Sequence, residues 1–397
     1  MQYKLAENTW NSEELLAGVQ TLLSGRCTMG DRVKEFEQKF AETFNSKYAV
    51  MSNSGSSANL LMVAALKYSN KNFEDGDEII VPSVSWATTY YPIHQLNLKL
   101  KFVDINLDTL NIDETKIEQY ITPKTKGIMA VNILGNPCNF KVINDIAKRY
   151  NLVVLEDNCE SMFAKYDNKF CGTIGQMGTF STFFSHHICT IEGGITVTDS
   201  EELYQYMLSL RAHGWTRELP SKNFVYEKSG KKIDDMFKFI LPGYNLRPTE
   251  ISAAIGLQQL KKLPGFIDQR IKNYNLFNKI VTNLNNKHDN VLTIQKMEDN
   301  SSPSYFAFTM ILSNKIKDKR EDFMNFLLSH NIECRPIVAG NFTKNPVIKY
   351  LNNEICGEMT NADIIDSRGL FIGNHSQDIS NELIYFNEIC EDFISRV

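Results

Sequence analysis

Ser181 and His186 stand five residues apart in Phe180-Ser181-Thr182-Phe183-Phe184-Ser185-His186-His187, and their types suit them to chemistry. A serine hydroxyl in such a loop can hold a phosphate, and an imidazole moves protons near neutral pH. No lysine occurs between Lys169 and Lys222, so the segment has no amine with which to form a Schiff base. The combination predicts a cofactor enzyme that keeps proton transfer and gives up covalent anchoring. His187 competes for the same role. Spacing from Ser181 favours His186, and adjacent residues point in different directions, which leaves His187 as a packed or hydrogen-bonded neighbour.

Several other features could serve a bound phosphopyridine. Ser52-Asn53-Ser54-Gly55-Ser56-Ser57-Ala58-Asn59 is a loop of small residues opening a helix. Its amides at Gly55 and Ser56 and the positive end of the helix dipole suit a phosphate, although the same pattern also describes a plain helix cap. Val153-Val154-Leu155-Glu156-Asp157 is an apolar strand that delivers Asp157 at its carboxyl end. A carboxylate there either pairs with a protonated pyridine nitrogen, making the ring an electron sink, or caps the following turn. Glu160 either reaches a cofactor hydroxyl or faces solvent. Trp86, just after another strand, either stacks on the ring or packs in the core.

The elements that must position these groups follow from composition and periodicity. The chain of 397 residues suits a large domain plus a smaller one. It is 43% hydrophobic and 22% charged with net charge −5, so it has no basic footprint for nucleic acid, and an anionic ligand must be held locally. No secretory pattern or apolar run of membrane-spanning length is present, which predicts a cytoplasmic protein without membrane attachment. The eight cysteines are scattered, favouring neither a metal site nor a disulfide framework. Helical patterns at 12–24, 31–45, 56–69 and Val142–Tyr150 accompany strand candidates Glu78–Pro82, Leu100–Ile105, Gly127–Ile133, Leu152–Asp157, Thr179–Phe183 and Ile195–Thr198. That alternation predicts a mostly parallel α/β sheet with its catalytic face at the carboxyl ends of the strands. Beyond Gln258-Gln259-Leu260 come a helix near 266–286, an Asn-rich turn region at 283–302, a strand at Tyr305–Leu312 and a helix at Asp318–His330. The expected division is a large α/β domain over 1–260 and a small α+β domain over 261–397.

Taken together, Ser54-Gly55-Ser56-Ser57, Glu156-Asp157, Gly178-Thr179-Phe180-Ser181 with Glu192-Gly193-Gly194, and Gly243-Tyr244-Asn245-Leu246-Arg247 leading to Ala253-Ala254-Ile255-Gly256 resemble the sugar-nucleotide aminotransferase family. The resemblance implies the pyridoxal-phosphate-dependent transferase fold of type I, similar to aspartate aminotransferase. In that family the residue five after the phosphate serine is the Schiff-base lysine, and His186 departs from it. The departure resembles a smaller branch of 3-dehydratases, which remove the 3-hydroxyl of nucleotide-linked 4-keto-6-deoxy sugars on the way to 3,6-dideoxy sugars. One subtype acts on a CDP sugar and carries an iron–sulfur cluster on four cysteines, two of them in a Cys-x-Cys pair. No such pair occurs here, and the sequence is more similar to the cluster-free subtype that acts on a GDP sugar.

This resemblance implies that pyridoxamine 5'-phosphate does the electron work, that His186 serves first as base and then as acid, and that L-glutamate, leaving as 2-oxoglutarate, restores the amine from pyridoxal 5'-phosphate. Arg247 suits the glutamate carboxylate, since a guanidinium binds both oxygens, with His213 as helper; the other reading of Arg247 is a surface ion pair. By the resemblance, Asn245 reaches the phosphate of a neighbouring subunit's cofactor, which implies a homodimer with shared active sites. Gly25-Arg26-Cys27-Thr28 resembles the sugar-nucleotide loop, and Arg217 can pair with a diphosphate. A carboxylate at Glu333 can accept both N1–H and N2–H of guanine, or it can be solvated or sit in a salt bridge. Two other functions stay open: a true sugar aminotransferase that recruits another lysine, and a non-catalytic binding protein on an enzyme fold.

Overall fold

Runs such as Ile79-Ile80-Val81 and Val153-Val154-Leu155 are apolar on both faces, and strands of that kind need helices on either side of the sheet. The computed structural model, which describes residues 1–69 and 73–396, places both within an eight-stranded sheet. Its strands in spatial order are Tyr48–Ser52, Gly194–Thr198, Met177–Ser181, Val153–Asp157, Thr125–Val131, Glu78–Pro82, Lys99–Val103 and Asn353–Ile355. Gly194–Thr198 is antiparallel to both neighbours, and the other pairings are parallel. Asp157 and Thr179 are register partners, so Asp157 and Ser181 emerge close together at the carboxyl edge.

Strand alternation sorts the side chains that matter. Thr179 and Ser181 face the helix Gly55–Tyr68, where Thr179 bonds Asn59 and Ser181 abuts Gly55. Phe180 faces the opposite layer. There the helix Asp31–Phe44 presents Phe36, Phe40 and Phe44 at four-residue intervals, and Phe180 packs 5.1 Å from Phe40 and 4.9 Å from Phe44, ring centre to ring centre. Burying each such ring stabilises by roughly 1.5–3 kcal/mol, and together they fix the strand that carries Ser181.

A second sheet, in the order Leu292–Thr293, Ala307–Leu312, Gly369–Gly373, Cys334–Pro336, is wholly antiparallel and packs with Arg320–Ser329 and Ser380–Arg396. One helix, Glu250–His288, joins the two layers. Its Leu257, Leu260 and Leu263 pack with Phe36 and Phe180, while Phe277, Ile280 and Leu284 pack with Phe308 and Phe386. The chain is thus continuous helix across 260–261. Segments also cross between layers. Asn353–Ile355 forms the outer strand of the large sheet beside Lys99–Val103, and Tyr3 pairs with Ile332 while its hydroxyl donates to the Gly373 carbonyl at 2.6 Å.

The structure moves some expected bounds. The strand expected at Thr179–Phe183 is Met177–Ser181, because Thr182 turns away: its amide donates to the Gly193 carbonyl at 2.9 Å, and its hydroxyl meets that of Thr190 at 2.6 Å. The helix expected near 266–286 spans Glu250–His288, taking in the start of the Asn-rich stretch, where Asp289 ends it in a left-handed conformation. All eight cysteines are free thiols. Among the described residues no helix is long and apolar enough to cross a membrane.

Candidate active site

The helix Gly55–Tyr68 begins against Ser181. Ser54 caps it, accepting from the Ser57 amide at 3.1 Å, and the remaining first-turn amides point out of the helix end. The cap reading therefore holds, and it leaves the helix start open to an anion. A Cβ on Gly55 would lie 2.7 Å from Ser181 Cβ, 3.0 Å from its Oγ and 3.2 Å from Cys159 Sγ, so only glycine lets this helix start meet the serine. A Cβ on Gly194 would lie 2.1 Å from the Ser54 carbonyl oxygen, so the other flank is equally close.

Asp157 is buried and held by three donors. Its Oδ2 accepts from Asn59 Nδ2 at 2.8 Å and Thr89 Oγ1 at 2.7 Å, and its Oδ1 accepts from the Cys159 amide at 3.2 Å. Each such bond to a charged oxygen is worth about 1.5–3 kcal/mol, enough to fix the carboxylate's orientation. Asn59 is set in turn by Thr179, whose hydroxyl donates to its Oδ1 at 2.6 Å. Glu156 points the other way and grips the loop behind, accepting from the amides of Gly172, Ile174 and Gly175. Glu160 accepts from the Leu134 amide at 3.0 Å. Burial outweighs that bond and, with a smaller push from Asp157, raises its carboxyl to about 7.

Trp86 is 59% exposed, which removes the core reading. It precedes the helix Ala87–Gln95, whose Thr88 hydroxyl accepts from Ser56 Oγ at 3.0 Å and whose Thr89 holds Asp157. Trp86 therefore lies at the same edge as the helix start and the carboxylate, with its indole exposed. His186 sits in the turn after Ser181. The Phe183 amide donates to Ser181 Oγ at 3.3 Å, and the His186 amide donates to the Phe183 carbonyl at 2.9 Å. Burial, and then the charge of Arg270, push the His186 imidazole down to about 4. His187 is fully buried, with Nε2 3.2 Å from the Ser304 carbonyl oxygen, as expected of a packed neighbour.

These groups fit a flat heteroaromatic cofactor bearing a phosphate. Gly55, Ser56 and Ser181 form a cradle that a single added carbon would fill, Asp157 is a buried fixed carboxylate, and Trp86 offers an open ring face. Nearby, Thr28, Lys34, Glu37, Trp215, Arg217 and Arg247 line a cavity of about 570 Å³. The Asn53 amide donates to the Leu246 carbonyl at 3.0 Å, tying the segment before Arg247 to the loop before Gly55.

The DegT/DnrJ/EryC1/StrS aminotransferase family matches residues 9–385. This chain belongs to that family. Among similar proteins, the GDP-4-keto-6-deoxy-D-mannose 3-dehydratase of Yersinia pseudotuberculosis is 49% identical over 386 residues, covering 96% of each chain. A solved GDP-4-keto-6-deoxymannose-3-dehydratase with a trapped PLP-glutamate geminal diamine superposes with a TM-score of 0.93 at 49% identity, covering 98% of this chain and 100% of that one. A mutant form of such an enzyme with bound GDP-perosamine does so with the same score, identity and coverage.

For a DegT/DnrJ/EryC1/StrS member, the remaining expected residues fall into two groups. Thr28, Arg217 and Arg247 share the cavity. Arg247 donates from Nε to Asn245 Oδ1 at 3.0 Å and makes no ion pair among the described residues, so the surface-pair reading falls. Arg217 lies 5.4 Å from the Trp215 ring centre, and His213, in a left-handed conformation at φ +64, packs edge-on against the same indole. Gly25, Arg26 and Cys27 lead into Thr28, and the Cys27 carbonyl accepts from the Glu250 amide at 3.0 Å. Glu333 lies outside this lining; its Oε2 accepts from the Leu5 amide at 2.9 Å. Reading the sequence missed Asn59, Thr89 and Thr179, although Asn59 sits in the quoted Ser-Gly loop. It also missed Glu37 and Glu218, which flank the buried Arg211 and neutralise it beside the cavity.

Proposed function

We propose that this chain is a pyridoxal-phosphate-dependent lyase that removes the 3-hydroxyl of a GDP-linked 4-keto-6-deoxy sugar, with glutamate as amino donor. The observation that carries the reading is an imidazole, His186, where a family member that transaminates through a covalent tether needs an amine. When bound, pyridoxamine phosphate supplies an amino group for the sugar ketone and a ring that accepts electrons. Gly55, Ser56 and Ser181 would hold its phosphate, Asp157 would pair with its ring nitrogen and Glu160 with its hydroxyl, and Trp86 would offer a face for stacking. His186, neutral at working pH, accepts a proton at the reacting carbon and returns it to the departing C3 oxygen. Thr28 and Arg217 grip the nucleotide, with Gly25, Arg26, Cys27 and Glu333 as further contacts, and Arg247 with His213 takes the glutamate carboxylate.

The relatives' names and bound ligands support GDP and glutamate over other pairs. The proposal places the protein in the reducing cytoplasm, where its eight cysteines stay as thiols. A homodimer is part of the proposal, with Asn245 reaching the partner's cofactor; exposed Leu15, Leu16, Val19, Leu22 and Leu23 on one helix supply an apolar face for it. The deciding experiment incubates the protein with pyridoxamine phosphate, glutamate and a panel of nucleotide-linked 4-keto sugars. Loss of one water from the GDP sugar, read by mass spectrometry, supports the reading. Amino transfer without water loss, or no turnover of any sugar, refutes it.

A further inference from the structure

Behind the two imidazoles lies a cation that no acid balances among the described residues. Arg270, on the long helix, is 4% exposed. Its Nη1 donates to the carbonyls of Phe306 at 3.0 Å and Asn374 at 2.7 Å, and its Nε has no partner among the described residues. No carboxylate pairs with it among those residues, and burial alone lowers its guanidinium to about 10. The surroundings are neutral amides. Asn374 Nδ2 donates to the Arg270 carbonyl at 3.1 Å and to the Tyr305 carbonyl at 2.8 Å, while Asn273 ties Asn374 and His375 to the helix. A buried guanidinium without a counter-ion is expensive, several kcal/mol even after relaxation, so such a group calls for an explanation.

Phe306 connects it to the reacting turn. The Phe306 carbonyl receives Arg270, and the Phe306 ring stands edge-on to His186 at 5.3 Å and beside His187 at 5.6 Å between ring centres. On the same segment, the Ser304 carbonyl lies 3.2 Å from His187 Nε2. The charged and titratable groups acting on the pair are Arg270 from the long helix, on both rings, and His186 on His187; Phe183 and Phe306 are apolar. His375 also lies within reach of the Arg270 charge and is turned to the Lys4 carbonyl at 2.8 Å.

We propose that Arg270 is a positioning residue for His186: through Phe306 it fixes the imidazole, and its unbalanced charge adds to burial in disfavouring the imidazolium. This rests on the reading of His186 as the proton-transfer group. A nearby fixed cation weakens the imidazole as a base but makes the imidazolium a stronger acid. Hydroxide is a poor leaving group, so the gain falls on the step that needs it, donation to the departing oxygen.

The test uses the cofactor-loaded protein and follows the His186 ring by NMR across pH, with its resonance assigned by loss in His186→Asn. The wild-type midpoint is expected well below 6.5, near 4. In Arg270→Met it rises by at least about one unit, a tenfold change in proton affinity, and the acid limb of the dehydration rate moves with it. Arg270→Lys keeps the charge and stays near wild type in both. A wild-type midpoint at or above 6.5 overturns the proposal without any variant. Equal midpoints in wild type and Arg270→Met overturn it as well. Retained water loss by His186→Asn beside a low wild-type midpoint would instead sink the functional reading and leave the effect of Arg270 on the ring standing.

Discussion

Alanine at position 55 tests the cradle directly. Its Cβ would sit 2.7 Å from Ser181 Cβ, and that atom is fixed to a strand backbone rather than to the tip of a flexible chain. Ordinary carbon contacts are about 3.5–4.0 Å, so helix and strand must separate by roughly 1 Å. Overpacking costs about 1–3 kcal/mol, and with the clashing atoms held by backbone the upper part of that range, about 2–3 kcal/mol, applies, offset in part by alanine's helical advantage of about 0.8–1.0 kcal/mol over glycine. The net of about 1–2 kcal/mol falls at the helix start that meets the phosphate. At about 1.4 kcal/mol per tenfold, pyridoxal phosphate should bind about 5- to 30-fold more weakly. Absorbance titration of the cofactor-free protein measures this, and a circular-dichroism melt checks that the fold survives. Equal affinity in Gly55→Ala and wild type would refute the placement of the phosphate at this helix end.

Four further outcomes are expected. His186→Lys should abolish water loss and create a borohydride-reducible bond between cofactor and lysine, located by peptide mass mapping. Arg247→Ala should raise the KM for glutamate about 10- to 100-fold, from the loss of one charged two-point contact worth about 1.5–3 kcal/mol, while a single turnover starting from pyridoxamine phosphate is spared. Glu160→Gln should stabilise the cofactor-free protein at pH 8 and leave it unchanged near pH 4. The folded pKa near 7 lies above the ordinary carboxyl value of 4.5, so the wild type gives up stability as pH rises between those values, by up to about 3 kcal/mol at 1.36 kcal/mol per unit; a melt across pH reads it. Leu16→Glu with Leu23→Glu should convert a dimer to monomers in sedimentation, and unchanged mass would argue that this helix face lies outside the interface.

What the sequence made legible was set by how local each signal is. The strands Glu78–Pro82 and Val153–Asp157 stand out because unbroken apolar runs end at turn residues, and Asp157 could be read from its place at a strand end. The spacing of Ser181 and His186 is likewise local. Tyr48–Ser52 was missed: it is short, begins with a half-buried Tyr, and is a strand because Gly194–Thr198 pairs with it from far along the chain. The support around Asp157 comes from Asn59, Thr89 and Thr179 on three separate elements, so no spacing rule exposes it. The exposure of Trp86 runs against the tendency of tryptophan to be buried. Arg270 reads as one more charge on a helical pattern until Asn374 and Phe306 close over it.

The interleaving of the two layers bears on how the protein is made. Tyr3 bonds a partner 370 positions away, and Leu5 one 328 positions away. On a ribosome, Tyr3 and Leu5 must wait for Gly373 and Glu333 to emerge before they find their seats. The nascent chain carries this segment unseated while more than three hundred further residues are added, so pairings of such long range place the slow step of its assembly late.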